Sequence, residues 1–142
     1  MGLSADSIFI QALRENTELM QTISNRLYGT AIPLPDEEAD NAPVPYVIVT
    51  FDGLSNVDKT KDDSYESDYD TVSISIECVA RTLLGLHALT QMVRNAVLNY
   101  LRGNETTVYD YQFGAQSIQY DSLKPCYWQV LTYQCDVEKE RT

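Results

Sequence analysis

Two hydrophobic rhythms follow one another between Asp70 and Gly103, and the rest of the chain is arranged around them. Over residues 71–81, Val72, Ile74, Ile76, Cys78 and Ala80 alternate with Thr71, Ser73, Ser75 and Glu77. A period of two predicts a strand with one buried face. Over residues 83–102 the apolar positions shift to steps of three and four, at Leu86, Leu89, Val93, Ala96, Val97 and Tyr100. That spacing draws one apolar stripe along a helix roughly 30 Å long. Thr82 is placed to cap its start, and Arg102-Gly103 supplies a cation and then a residue tolerant of left-handed backbone at its end. The surface able to cover the stripe is the apolar face of the sheet that the preceding strand belongs to.

The flanking segments read less sharply. Ile8, Phe9, Ala12 and Leu13 predict a first helix over about 7–15, capped by Ser4 or Asp6. Asn16 reads as a new cap for a short helical piece with Leu19, Met20 and Ile23, ending near Asn25. Leu27-Tyr28 starts a short strand closed by Gly29, and Pro33-Leu34-Pro35 breaks regular structure. After the acidic loop 36–42, the run 46–51 is almost unbroken in β-branched and aromatic residues and predicts a well-buried strand. Residues 106–113 do not alternate cleanly and read as strand or loop. Residues 115–121 suggest a short strand, and Lys124-Pro125 a turn. Residues 126–137 form a long last strand rich in Tyr, Trp, Val and Thr. The order helix, helix, strand, strand, helix, strands predicts an α+β, two-layer domain. Its antiparallel sheet has the long helix and the N-terminal helix packed on one face.

Between the second predicted strand and the central one lies a polar stretch, residues 52–70. Seven acidic side chains (Asp52, Asp58, Asp62, Asp63, Glu66, Asp68, Asp70) face two lysines, Lys59 and Lys61. With little periodicity, it is expected to be an exposed hairpin arm, and Tyr65 and Tyr69 give its return some strand character. Asp58, Lys59, Lys61, Asp62, Asp63, Tyr65, Glu66 and Asp68 are the residues expected to act in assembly. At 142 residues the chain is expected to be a single domain, 1–142, with a frayed charged tail at 138–142.

Composition narrows the function by exclusion. The net charge is −11 and no Lys/Arg cluster offsets it, so sequence-reading nucleic-acid binding is not expected. No apolar run is long enough to span a membrane, and the first residues carry no basic, then apolar, export signal. Three cysteines, Cys78, Cys126 and Cys135, form no C-x-x-C pair and are expected to be reduced thiols of a cytoplasmic protein, with Cys78 packed in the core. The one histidine, His87, reads as a partly buried, hydrogen-bonded side chain of the long helix and not as a catalytic base. No nucleophile motif and no glycine-rich phosphate loop occurs. Asp58-x-x-x-Asp62-Asp63 offers oxygen ligands but lacks the frame of a calcium loop, so no metal and no cofactor are expected. The ten tyrosines, with Trp128, suit packing on a sheet or at an interface.

Four features in order resemble the tail-terminator (tail-completion, head–tail joining) proteins of long-tailed phages and prophages. They are the N-terminal amphipathic helix with its follow-on ending in Asn25-Arg26-Leu27-Tyr28-Gly29, and the proline-rich link into Val44-Pro45-Tyr46-Val47-Ile48-Val49. Then come the polar arm returning through Val72-Ser73-Ile74-Ser75-Ile76 and the Thr82-led helix with Met92-Val93-Arg94-Asn95-Ala96-Val97. The Tyr109-Asp110-Tyr111 segment and the last strand match no motif of that family. The resemblance implies a structural protein with no enzymatic reaction. It implies a homo-oligomeric ring, typically a hexamer, that caps the tail tube and meets the tube protein and the head connector, assembling in the host cytoplasm and remaining in the virion. The alternatives are another neck or minor tail component, and a small acidic adaptor for a single protein partner.

Overall fold

The computed structural model describes residues 5–29, 43–55, 69–103 and 108–138. Its elements are α1 (Ala5–Arg14), α2 (Thr17–Thr22), β1 (Leu27–Gly29), β2 (Tyr46–Ser55), β3 (Tyr69–Ala80), α3 (Leu83–Gly103), β4 (Val108–Ala115), β5 (Gln119–Asp121) and β6 (Cys126–Glu138). They form the expected α+β architecture, with helices laid on one face of a six-stranded sheet ordered β1-β2-β3-β6-β4, β5 pairing beside β4 along β6. The β2–β3, β3–β6, β4–β6 and β5–β6 pairs are antiparallel. The sheet is nevertheless mixed, because β1 runs parallel to β2, Tyr28 lying opposite Ile48. Residues 30–45 separate the two, enough chain for the crossover that a parallel pair needs.

Both central rhythms are realised. Val72, Ile74, Ile76, Cys78 and Ala80 are buried, and so are Leu86, Leu89, Val93, Ala96 and Val97 of α3. These two rows meet in one core with Val47 and Val49 of β2 and Leu131, Tyr133 and Cys135 of β6. Burying each Val or Leu side chain stabilises the fold by about 1.5–3 kcal/mol. The Thr82 hydroxyl accepts from Gly85 N at 2.9 Å and its carbonyl from Leu86 N at 2.9 Å, which starts the helix at the predicted place. His87 differs from expectation: it is exposed. It follows Leu86 by one position, about 100° around the helix, and so leaves the buried stripe.

α1 adds Ile8, Phe9, Ala12 and Leu13 to the same core, and α2 adds Leu19. Asn16 caps α2 as predicted, its Oδ1 accepting from Leu19 N at 2.9 Å. Ser24 and Asn25, at φ 50° and 62°, then turn the chain into β1 through left-handed backbone. The Val44-Pro45 peptide that leads into β2 is cis.

Strand bounds depart from expectation at the arm. β2 continues to Ser55 and β3 begins at Tyr69, so residues 52–55 and 69–70 belong to the sheet. The ladder extends because Leu54 finds Val72 and Ser55 finds Thr71 across the pair, after a register shift between Phe51 and Gly53. Glu138, placed in the tail from sequence, closes β6 opposite Tyr69.

Candidate assembly surface

Alternation along β3 assigns one set of side chains to the helices and the other set to the opposite face. Thr71, Ser73, Ser75, Glu77 and Val79 point away from α1 and α3. Beside them in register lie Tyr46, Ile48 and Thr50 of β2, and Trp128, Val130, Thr132, Gln134 and Asp136 of β6. This face divides in two. Toward the Ser55 end it is polar: Thr71 Oγ1 donates to Asp136 Oδ1 at 3.0 Å, and the Ser75 hydroxyl donates to the Asp52 carboxylate. Toward the other end it is apolar. Tyr46, Val79 and Cys126 are buried there, and Tyr28, Val44, Ile48 and Trp128 pack around them. Tyr28 and Tyr46 meet edge to face at 6.1 Å, and the Lys124 ammonium lies 5.0 Å from the Tyr46 ring centroid.

Glu77 stands on the border between the halves. Its register partners are Ile48 on one side and Val130 on the other. Half-buried between them, its carboxyl is pushed above the usual carboxylate range by loss of solvent, and Lys124 offsets this only in part. Burial also pushes the Tyr46 phenol up to about 12, with Glu77 adding to the effect. The Cys126 thiol beside it is raised for the same leading reason, and the thiols of Cys78 and Cys135 are raised within the core. Thiols so placed are poor nucleophiles.

Further apolar side chains are exposed at the two ends of the sheet. Phe51 and Leu54 are 41% and 56% exposed on β2, beyond the stretch that β1 covers. Leu84 and Leu123, 83% and 96% exposed, mark the other end with Leu83 and Tyr120. Among the aromatic residues, Tyr133 belongs to the core, ringed by Phe9, Tyr111 and Phe113, and Trp128 to the face opposite the helices.

The residues expected to act in assembly, Asp58, Lys59, Lys61, Asp62, Asp63, Tyr65, Glu66 and Asp68, lie outside the described residues. The apolar half-face was not singled out from sequence, because Glu77 reads there as one more polar position. A signal was present: residues 46–51 are apolar at nearly every position, the pattern of a strand covered on both faces. Among the described residues no helix is long and apolar enough to cross a membrane.

No protein-family model and no curated protein matches the chain. Solved structures do. A chain in the virion of a native gene transfer agent particle superposes with a TM-score of 0.61 at 15% identity, covering 96% of this chain and 96% of that one. The bacteriophage SPP1 gp17 protein matches with a TM-score of 0.46 at 14% identity, covering 96% of this chain and 90% of that one. The first of these likenesses shows a shared fold over nearly the whole length of both chains.

Proposed function

We propose that the chain is a structural protein of a phage or prophage particle that caps the tail tube and joins tail to head as a ring, without catalysing a reaction. The observation that carries this is the end-to-end fold likeness to a virion chain, in which neither partner leaves a domain unmatched. The family resemblance of the sequence supports the finer role: a homo-oligomeric ring, six copies by that resemblance, in contact with the tube protein and the head connector. The surfaces fit such a role. A ring component needs a rigid core, and it needs faces and ends that neighbours can cover. The exposed Phe51 and Leu54 lie at one end of the sheet and Leu83, Leu84 and Leu123 at the other. That arrangement suits a protein with a neighbour on each side.

The test is genetic and visual. Deleting the gene from the phage or prophage and imaging the lysate should leave filled heads and tails unjoined, with tails of irregular length, and a copy in trans should restore joined particles. Normal joined particles from the deletion would refute the role.

A further inference from the structure

Among the described side chains of the sheet face opposite the helices, the carboxylates of Asp52, Asp121 and Asp136 are already engaged. Asp52 accepts from the Ser75 hydroxyl and Asp136 from the Thr71 hydroxyl. Asp121, opposite Cys126, accepts from the backbone N–H groups of Leu123 and Lys124 at 3.0 and 3.3 Å. Glu77 differs from them. Among the described residues no hydrogen bond or ion pair reaches its carboxylate. The nearby cation, Lys124, sits over the Tyr46 ring. Ile48 and Val130 flank Glu77 across the sheet, Val79 and Ser75 follow along the strand, and Trp128 lies opposite Val79. A carboxylate in that frame is partly stripped of water with no internal compensation.

We propose that this face is a docking surface for a protein segment that presents an arginine or lysine among apolar side chains, the cation meeting Glu77 and the apolar groups covering Ile48, Val130 and Trp128. The charges select this occupant. The face carries Asp52, Glu77, Asp121 and Asp136 against Lys124 on a chain of net charge −11, so an anionic segment is repelled. Apolar walls beside an unengaged carboxylate favour a cation that tolerates desolvation, and the arginine guanidinium does so best while stacking on an indole. Such an anchor is the kind of residue that dominates interface energetics. The inference goes beyond the virion role and does not depend on it.

Trp128 is the one tryptophan of the chain, so its fluorescence reports the site without a label. The purified protein is titrated with the capped peptide acetyl-Leu-Arg-Leu-amide, and in parallel with acetyl-Leu-Gln-Leu-amide and acetyl-Leu-Glu-Leu-amide. The expected result is a saturable change in Trp128 emission with the arginine peptide. Affinity should be weaker by about tenfold or more with the glutamine peptide or in Glu77→Gln, consistent with loss of a charged hydrogen bond. A thermal midpoint for Glu77→Gln at or above the parent's establishes that the variant is folded. Equal response to all three peptides, an unchanged response in Glu77→Gln, or no response at all overturns the proposal. Self-association that shifts Trp128 emission and persists in Glu77→Gln overturns it too, because a second copy would then close the face through its apolar frame alone. None of these outcomes bears on whether heads and tails join, so the two readings fail separately.

Discussion

The hydroxyl of Thr82 occupies the space that a side chain on Gly85 would need. Thr82 Oγ1 accepts from the Gly85 N–H at 2.9 Å, and a Cβ on Gly85 would meet the same oxygen at 2.9 Å. Losing the cap through Thr82→Ala should cost about 1 kcal/mol. Gly→Ala within a helix ordinarily gains up to ~1 kcal/mol. Here Gly85→Ala should gain little or nothing in the parent, because the new methyl displaces the capping oxygen, and should recover its gain in the Thr82→Ala background. A double-mutant cycle by urea unfolding checks this, and strict additivity would refute the coupling.

Tyr133 carries a hydroxyl into the core without a hydrogen-bond partner. Phe9 and Phe113 lie 5.0 and 5.2 Å away between ring centroids. Burial raises the phenol well above its ordinary pKa, so it stays neutral. Tyr133→Phe should therefore leave stability unchanged or raise it by up to about 1 kcal/mol, since an unsatisfied buried polar group is unfavourable. Tyr133→Ala should lose about 3–5 kcal/mol through the cavity it opens. Chemical denaturation of both variants separates the ring's contribution from the hydroxyl's.

Much of this core was legible from periodicity because each row of contacts comes from one element. The β3 alternation and the α3 stripe each state a buried face, and the faces have one place to meet. What periodicity does not carry is which residues lie opposite one another across strands. Residues 106–113 read ambiguously for a physical reason: β4 shifts register against β6 between Tyr109 and Gln112, which breaks the alternation. The direction of β1 was not legible either, since a three-residue strand fixes no orientation until its neighbour is known. Glu77 looked like any solvent-side residue of β3 until the register set it between Ile48 and Val130. Charge marks residues 58–68 in the sequence, whereas Glu77 is marked only by its packing across strands.

Glu77 gives stability a pH dependence of known sign. Its carboxyl is raised in the folded state by desolvation, so the native protein holds this proton more tightly than the unfolded chain. Its contribution is fully present below the unfolded carboxylate pKa and is lost as pH rises through the folded value. Glu77→Gln should thus become progressively more stable than the parent as pH increases from about 4 toward neutrality. Thermal unfolding of both across that range checks this, and a difference that shrinks with rising pH would refute it.

The three thiols offer a readout of global opening. Cys78, Cys126 and Cys135 are 0%, 3% and 1% exposed. Burial raises all three, Cys135 to about 12, so none is an appreciable thiolate at neutral pH. Reaction with a thiol reagent should be slow in the native protein and accelerate with added urea in step with unfolding. Rapid labelling of a cysteine in native buffer would contradict its placement.

The acidic segment between β2 and β3 is the last proposal that experiment can decide. The ladder reaches Ser55 opposite Thr71, so residues 56–68 connect Ser55 to Tyr69. That is longer than the ~2–5 residues of an ordinary hairpin loop, and long connections in compact domains tend to carry function. Asp58, Asp62, Asp63, Glu66 and Asp68 outnumber Lys59 and Lys61, a charge pattern that a neighbour's basic residues would neutralise on assembly. Replacing residues 56–66 with a short Gly-Ser link removes none of the core residues around Ile74, Ile76 and Leu89. The variant should therefore stay folded with a nearly unchanged thermal midpoint, while failing to support joined particles when supplied to a deletion lysate. Joined particles at the parent's yield would show that the segment is a tolerated surface insertion and that assembly rests on the folded faces alone.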